Sequence, residues 1–110
     1  MAVLTPQQTL RSGTKVTFVN ADPTDDSWEN DGNQIVAIKN SGSGTITVTI
    51  PDQRGCDLEA LHDFVMTVPN NGKVYYTPTF TPYYYNNVSG QTIIDCSAVT
   101  NVQLAVISVV

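Results

Sequence analysis

The stretch Gln34-Ile-Val-Ala-Ile-Lys39, Asn40-Ser-Gly-Ser-Gly44, Thr45-Ile-Thr-Val-Thr-Ile50 decides the fold class of this chain. In its last third apolar and polar residues alternate. Successive side chains of an extended strand point to opposite sides of a sheet, so Ile46, Val48 and Ile50 share one face and the threonines the other. Residues 34–39 are rich in β-branched side chains, and the serine-glycine run between the two segments is a turn signal. The stretch therefore reads as a β-hairpin with one side to bury.

The same pattern recurs along the chain. Residues 14–20 alternate around Val16 and Phe18, residues 63–69 place Phe64, Met66 and Val68 on one face, and Asn70-Asn-Gly72 turns residues 73–77 back as a hairpin partner. Pro78 and Pro82 confine Thr79-Phe80-Thr81 to an edge strand or an ordered loop, because proline donates nothing to a ladder. Strands over 91–97 and 101–110 close the chain. A single helical turn is expected over 57–62. The expected fold is all-β: one antiparallel β-sandwich of jelly-roll or Greek-key type, with about seven or eight strands spaced by about 8–12 residues. The expected core comprises Phe18, Ile35 or Val36, Ile46, Val48, Phe64, Met66, Val68, Ile93, Leu104 and Val106. Residues 1–13 lack periodicity and read as an N-terminal arm ahead of a domain over 14–110. Residues 21–33 hold Pro23, Gly32, Trp28 and five of the ten acids, and read as a loop.

Composition narrows the function. A chain of 110 residues makes one domain. With 41% apolar and 14% charged residues and a formal net charge of −5, it has the make-up of a packed domain whose solubility rests on Thr, Ser, Asn and Gln. No basic cluster offers a footprint for nucleic acid. The N-terminus has no basic, long apolar leader, and the apolar C-terminus is half the length of a membrane helix, so synthesis in a cytoplasm and no membrane partner are expected. A reducing cytoplasm favours free thiols at Cys56 and Cys96 over a disulfide.

No catalyst is legible. Cys56 and the only histidine, His62, are six residues apart, but the acids beside the cysteine oppose the thiolate a nucleophile needs. Carboxylate pairs drawn from Asp57, Glu59 and Asp63 show no constraint. The acidic loop over 22–32 lacks the alternating ligands of an EF-hand and reads as solvated, with an ion left open. No cofactor is expected and no enzyme. The aromatic residues carry the interaction reading: Trp28 either closes the end of the sandwich or contacts another chain, and of Tyr83-Tyr84-Tyr85 at least one ring must face out.

The chain resembles a group of small proteins encoded next to the major capsid protein in tailed bacteriophages. The resemblance is carried by Gly13-Thr14, Val36-Ala-Ile-Lys-Asn40, Ser41-Gly-Ser-Gly44, Thr45 to Ile50, Asp57-Leu58 with Asp63, Val68-Pro69 with Gly72, Tyr84-Tyr85-Asn86 and Cys96-Ser-Ala-Val-Thr-Asn-Val102. It implies a head decoration or cement protein: a virion protein on the capsid exterior, made in the bacterial cytoplasm, that binds the major capsid protein and ties neighbouring subunits together. Copies of itself are further partners, with a trimer left open. On this reading the contact residues are Val3, Leu4 and Leu10 of the arm with Trp28, Tyr83, Tyr84 and Tyr85. Two alternatives stand beside it: a carbohydrate-binding sandwich of a phage fibre or adhesin, with Trp28 and Tyr83, Tyr84 and Tyr85 as stacking platforms, and a neck or tail structural protein.

Overall fold

The computed structural model describes residues 2–8, 15–53 and 63–108. Among these residues ten strands form two packed sheets: β1 (Ala2–Leu4), β2 (Gln7–Gln8), β3 (Val19–Asn20), β4 (Asp26–Glu29), β5 (Gln34–Asn40), β6 (Ile46–Ile50), β7 (Phe64–Val68), β8 (Val74–Tyr76), β9 (Gln91–Cys96) and β10 (Val102–Ser108). The first sheet has the order β1-β4-β9-β6-β7; the second runs β2-β10-β5-β8, with β3 also beside β10. The partners β3·β10, β4·β9, β5·β8 and β6·β7 are all antiparallel. The first half of the chain thus pairs with the second in reverse order, as one long hairpin whose successive pairs fall alternately in the two sheets. That is the topology of a jelly roll.

Two expected hairpins do not exist. β5 and β6 lie in different sheets, as do β7 and β8, so the turns over 41–45 and 69–73 carry the chain across the sandwich. Asn40, fully buried at the end of β5, makes the first corner: its Nδ2 donates to the carbonyls of Gly44 (2.9 Å) and Val68 (3.1 Å), and its Oδ1 accepts from Gly42 N–H (3.0 Å). A Cβ at Gly42 would lie 2.8 Å from the Thr100 carbonyl oxygen, so the corner packs against the β9–β10 connection only with glycine there.

The N-terminal segment also departs from a purely antiparallel sandwich. β1 pairs parallel with β4 in one sheet and β2 pairs parallel with β10 in the other, so residues 2–8 strap one side of the sandwich across both layers. The first expected strand shrinks to Val19–Asn20. Just before it, the Gln7 side chain acts as a stand-in strand, donating through Nε2 to Thr17 O (2.7 Å) and accepting from Thr17 N–H at Oε1 (2.9 Å).

Between the sheets lie Trp28, Val36, Ile38, Val48, Ile50, Val68, Ile94, Leu104 and Val106. Phe64 and Met66 pack at the margin of this core, while Phe18 belongs to a separate cluster outside the second sheet. In β9 the inward residues are Thr92 and Ile94, so the expected Ile93 faces out; with a period of two, a one-residue slip moves a whole set of side chains to the other face. The supposed loop over 21–33 contains β4. Asp22 O accepts from Asp25 N–H in a turn, the Asp22 carboxylate caps Thr24, and the strand starts one residue later.

Candidate interaction surface

Trp28 stands at the head of an aromatic chain that runs to one end of the sandwich. Its ring meets Phe80 edge-on (6.1 Å, 62°), and Phe80 in turn meets Phe64 (5.2 Å, 78°) and Tyr85 (5.1 Å, 71°). Phe80 sits in an ordered loop between the two prolines, its carbonyl accepting from Asn30 Nδ2 (2.9 Å). A one-turn helix, α1 (Pro82–Tyr85), follows, opened by a proline whose missing N–H is no loss at that position. Three further contacts fix it: Gln53 N–H donates to Tyr84 O (2.7 Å), Asn86 Nδ2 donates to Asn30 O (2.9 Å), and Gly32, at φ +97°, lies under the Pro82 ring.

With Tyr85 half-buried against Phe80, the turn presents the other two tyrosines outward. Tyr83 is 58% and Tyr84 44% exposed, their rings 4.9 Å apart at 88°, and Val88 beyond them is fully exposed. Two rings on a pinned backbone form an apolar projection that loses little conformational freedom on contact. Burial, with Asp52 and Asp63 nearby, raises the Tyr85 hydroxyl's pKa above its usual range, so it stays protonated.

The other expected contact residues fare differently. Trp28 is fully buried and Leu4 nearly so, both in the core, and neither projects from the surface as a contact side chain. The inward face of a strand neighbouring β9 took the tryptophan, and β1 brought Leu4 beside it, since Leu4 pairs with Trp28 in register. Val3, one residue earlier, is 61% exposed, on the lip of a cleft of about 510 Å³ lined by Leu4, Gln7, Val19, Leu104 and Val106. Leu10, Cys56 and His62 lie outside the described residues. Val88 has no signal in the sequence, since a lone valine in a turn carries no pattern.

The acids gather at the opposite end of β4. Hydrogen bonds from the Thr24 hydroxyl and backbone hold Asp22 below the usual carboxylate range, whereas burial and then a hydrogen bond shared with Asp95 raise Asp25. Asp26, nearly inaccessible, is raised by burial; its Oδ2 accepts from Asp22 N–H (3.0 Å), but its Oδ1 has no partner. Burial, with Asp26, Asp95 and Asp25 adding, pushes the free Cys96 thiol up to about 12, far from a nucleophile's range. Among the described residues no three of His, Cys, Asp and Glu converge as a metal ion needs.

Asp26 gives the fold a pH dependence. Its folded pKa is raised, so its contribution is fully present below the unfolded carboxylate value and is lost as pH rises through the folded value. Asp26→Asn, which keeps an acceptor for Asp22 N–H but has no charge to bury, is expected to be more stable than the parent at pH 7, and the gap should close towards pH 3. Urea unfolding at pH 3, 5 and 7 checks this; a gap independent of pH would show that the buried form carries no charge penalty.

Comparison with protein-family models, curated proteins and solved structures returned no match for this chain.

Proposed function

We propose that this chain is a structural protein of a virus particle, a capsid decoration protein that attaches to the outside of an assembled shell and ties neighbouring subunits together. The observation that carries this is the Tyr83–Tyr84 pair: two exposed rings on a helical turn locked to the core through Tyr85, Phe80 and Trp28. A clamp on a shell needs a rigid body with a preformed apolar anchor, because ordering a flexible one on contact would offset much of the binding. Its many copies add linkage free energy to the assembled state even when each contact is weak. The rings weigh against the sugar-binding alternative. A stacking platform sets its aromatic faces in one plane, whereas these two stand at 88° and Trp28 is buried.

The test is co-sedimentation of the purified chain with empty shells assembled from the major capsid protein of the same virus. The intact chain should pellet with the shells. Tyr83→Ser/Tyr84→Ser, with an unchanged circular dichroism spectrum, should bind about tenfold or more weakly, the loss of at least one interface hot spot. Failure of the intact chain to pellet, or retention of polysaccharide on a glycan column, would overturn the proposal.

A further inference from the structure

The sandwich ends on one side in two strands, β7 of the first sheet and β8 of the second, joined by the turn over 69–73. A strand at the edge of a sheet presents unpaired N–H and C=O groups, and proteins blunt such edges by brevity, lysine, proline or a crossing segment. Most edges among the described strands are blunted in these ways. β8 has three residues, with Lys73 before it and Pro78 close behind. On the other side β1 and β2, of three and two residues, are the ends of one strap that crosses between the sheets at Thr5 and Pro6. The exception is β7, Phe64-Val-Met-Thr-Val68, which has five residues, no charge and no proline.

The hydrogen-bond phase of β6 fixes which backbone groups of β7 point outward. Ser97 N–H donates to Thr47 O (2.9 Å), so Thr47 and, two residues on, Thr49 turn their backbone groups toward β9, while Ile46, Val48 and Ile50 turn theirs toward β7. Those three stand opposite Val68, Met66 and Phe64. Val65 and Thr67 therefore aim N–H and C=O away from the sheet, to the side where no described strand lies. Their side chains are exposed too, Val65 at 59%, and Tyr76, equally exposed, stands on the neighbouring edge of β8.

We infer that β7 is an interface between two copies of this chain, paired antiparallel about a two-fold axis at Met66, so that the five-stranded first sheets of the two copies run on into one another. The half-turn sets Val65 opposite the second copy's Thr67, and Thr67 opposite its Val65. Each pair exchanges two backbone hydrogen bonds, so every outward donor and acceptor of Val65 and Thr67 on both edges is used. On the outer face β-branched side chains meet β-branched side chains, and at the core margin Met66 meets its own counterpart. Charge agrees with this partner. No ionisable side chain lies within the five residues, and the two copies of Asp63, each opposite Pro69, sit about 20 Å apart at about 3.3 Å per residue. Two bodies of net charge −5 thus touch along an uncharged strip. The inference does not rest on the decoration reading, since a self-paired edge joins copies with or without a shell.

Sedimentation velocity of the full chain over a concentration series up to about 500 μM tests this, because a dimer that forms by mass action grows with protomer concentration. The parent should pass from monomer to dimer, and more readily in high salt than in low, since screening relieves the repulsion of two acidic bodies. Val65→Lys/Thr67→Lys sets like charges directly opposite in both pairs and should dimerise about tenfold or more weakly, with an unchanged unfolding curve at low concentration. Val65→Lys/Thr67→Glu sets each lysine opposite the second copy's glutamate and should restore the dimer. Thr67→Pro, which removes an N–H that its own sheet does not use, should also be monomeric. Val3→Lys, at an equally exposed position on β1, should dimerise like the parent. A parent that stays monomeric throughout, a dimer that survives Val65→Lys/Thr67→Lys and Thr67→Pro, or one lost on Val3→Lys instead overturns the inference. A monomeric chain that still pellets with shells loses the β7 interface and keeps the decoration reading.

Discussion

Trp28→Ala is expected to lower the free energy of unfolding by about 3–5 kcal/mol, the range for removing a large aromatic side chain from a core. The indole is fully buried and starts the ring contacts that run through Phe80 to Phe64 and Tyr85, so its loss opens a cavity and frees the support of α1. One feature tempers the figure: the indole Nε1 is buried without a hydrogen-bond partner, and an orphaned donor already costs about 1–3 kcal/mol. Trp28→Phe, which removes the donor and keeps a ring, should therefore be much milder than alanine. Urea unfolding followed by circular dichroism measures both. Against a typical stability of about 5–15 kcal/mol, the alanine variant should show a much earlier transition, and a loss below about 1 kcal/mol would mean that the indole is not in the core. The variant should also weaken shell attachment, because Tyr83 and Tyr84 are held in place from below.

Deleting residues 2–8 is expected to cost at least about 4 kcal/mol. Leu4 alone, nearly inaccessible in the core, accounts for about 2–5 kcal/mol. The ladders of β1 with β4 and β2 with β10, and the paired bonds of the Gln7 side chain to Thr17, each add a net of about 0.5–1.5 kcal/mol per hydrogen bond. An arm lying free of the sandwich would be removable without effect on folding. A thermal melt of the truncated chain separates the two outcomes: a midpoint lower by ten degrees or more is expected, and an unchanged midpoint would return these residues to the role of a spare tether. Leu4→Ala should reproduce about half of the loss, since it leaves the ladders in place. The described part of the N-terminal segment is thus a fastener of its own sandwich, with Val3 its outward apolar side chain.

How much of this was legible in the sequence follows from the range over which each signal acts. Alternation is a property of neighbours along the chain, so β6 and β7 were readable residue by residue, with Ile46, Val48, Ile50, Phe64, Met66 and Val68 turned inward as their spacing requires. The turns at Gly42 and Gly72 were readable as turns too. Which strands they join was not, because a turn signal reports a change of direction and not the sheet that receives the next strand. Asn40, bonded to Val68 twenty-eight residues away, settles that at the first corner. β4 was hidden because its acids outweighed Ser27 and Trp28 in a local reading, while its place beside β9 comes from pairing across some sixty residues of sequence. Trp28 and Leu4 look alike in the sequence to Tyr83 and Val3, apolar residues in polar surroundings. Their burial came from the register that sets them opposite each other on the inward side of one sheet. Composition and periodicity thus determined an all-β domain and most of its strands. Pairing, register and the choice of inner face waited on the tertiary structure, because they depend on how much apolar surface the two sheets hide together, a sum over contacts that no short window contains.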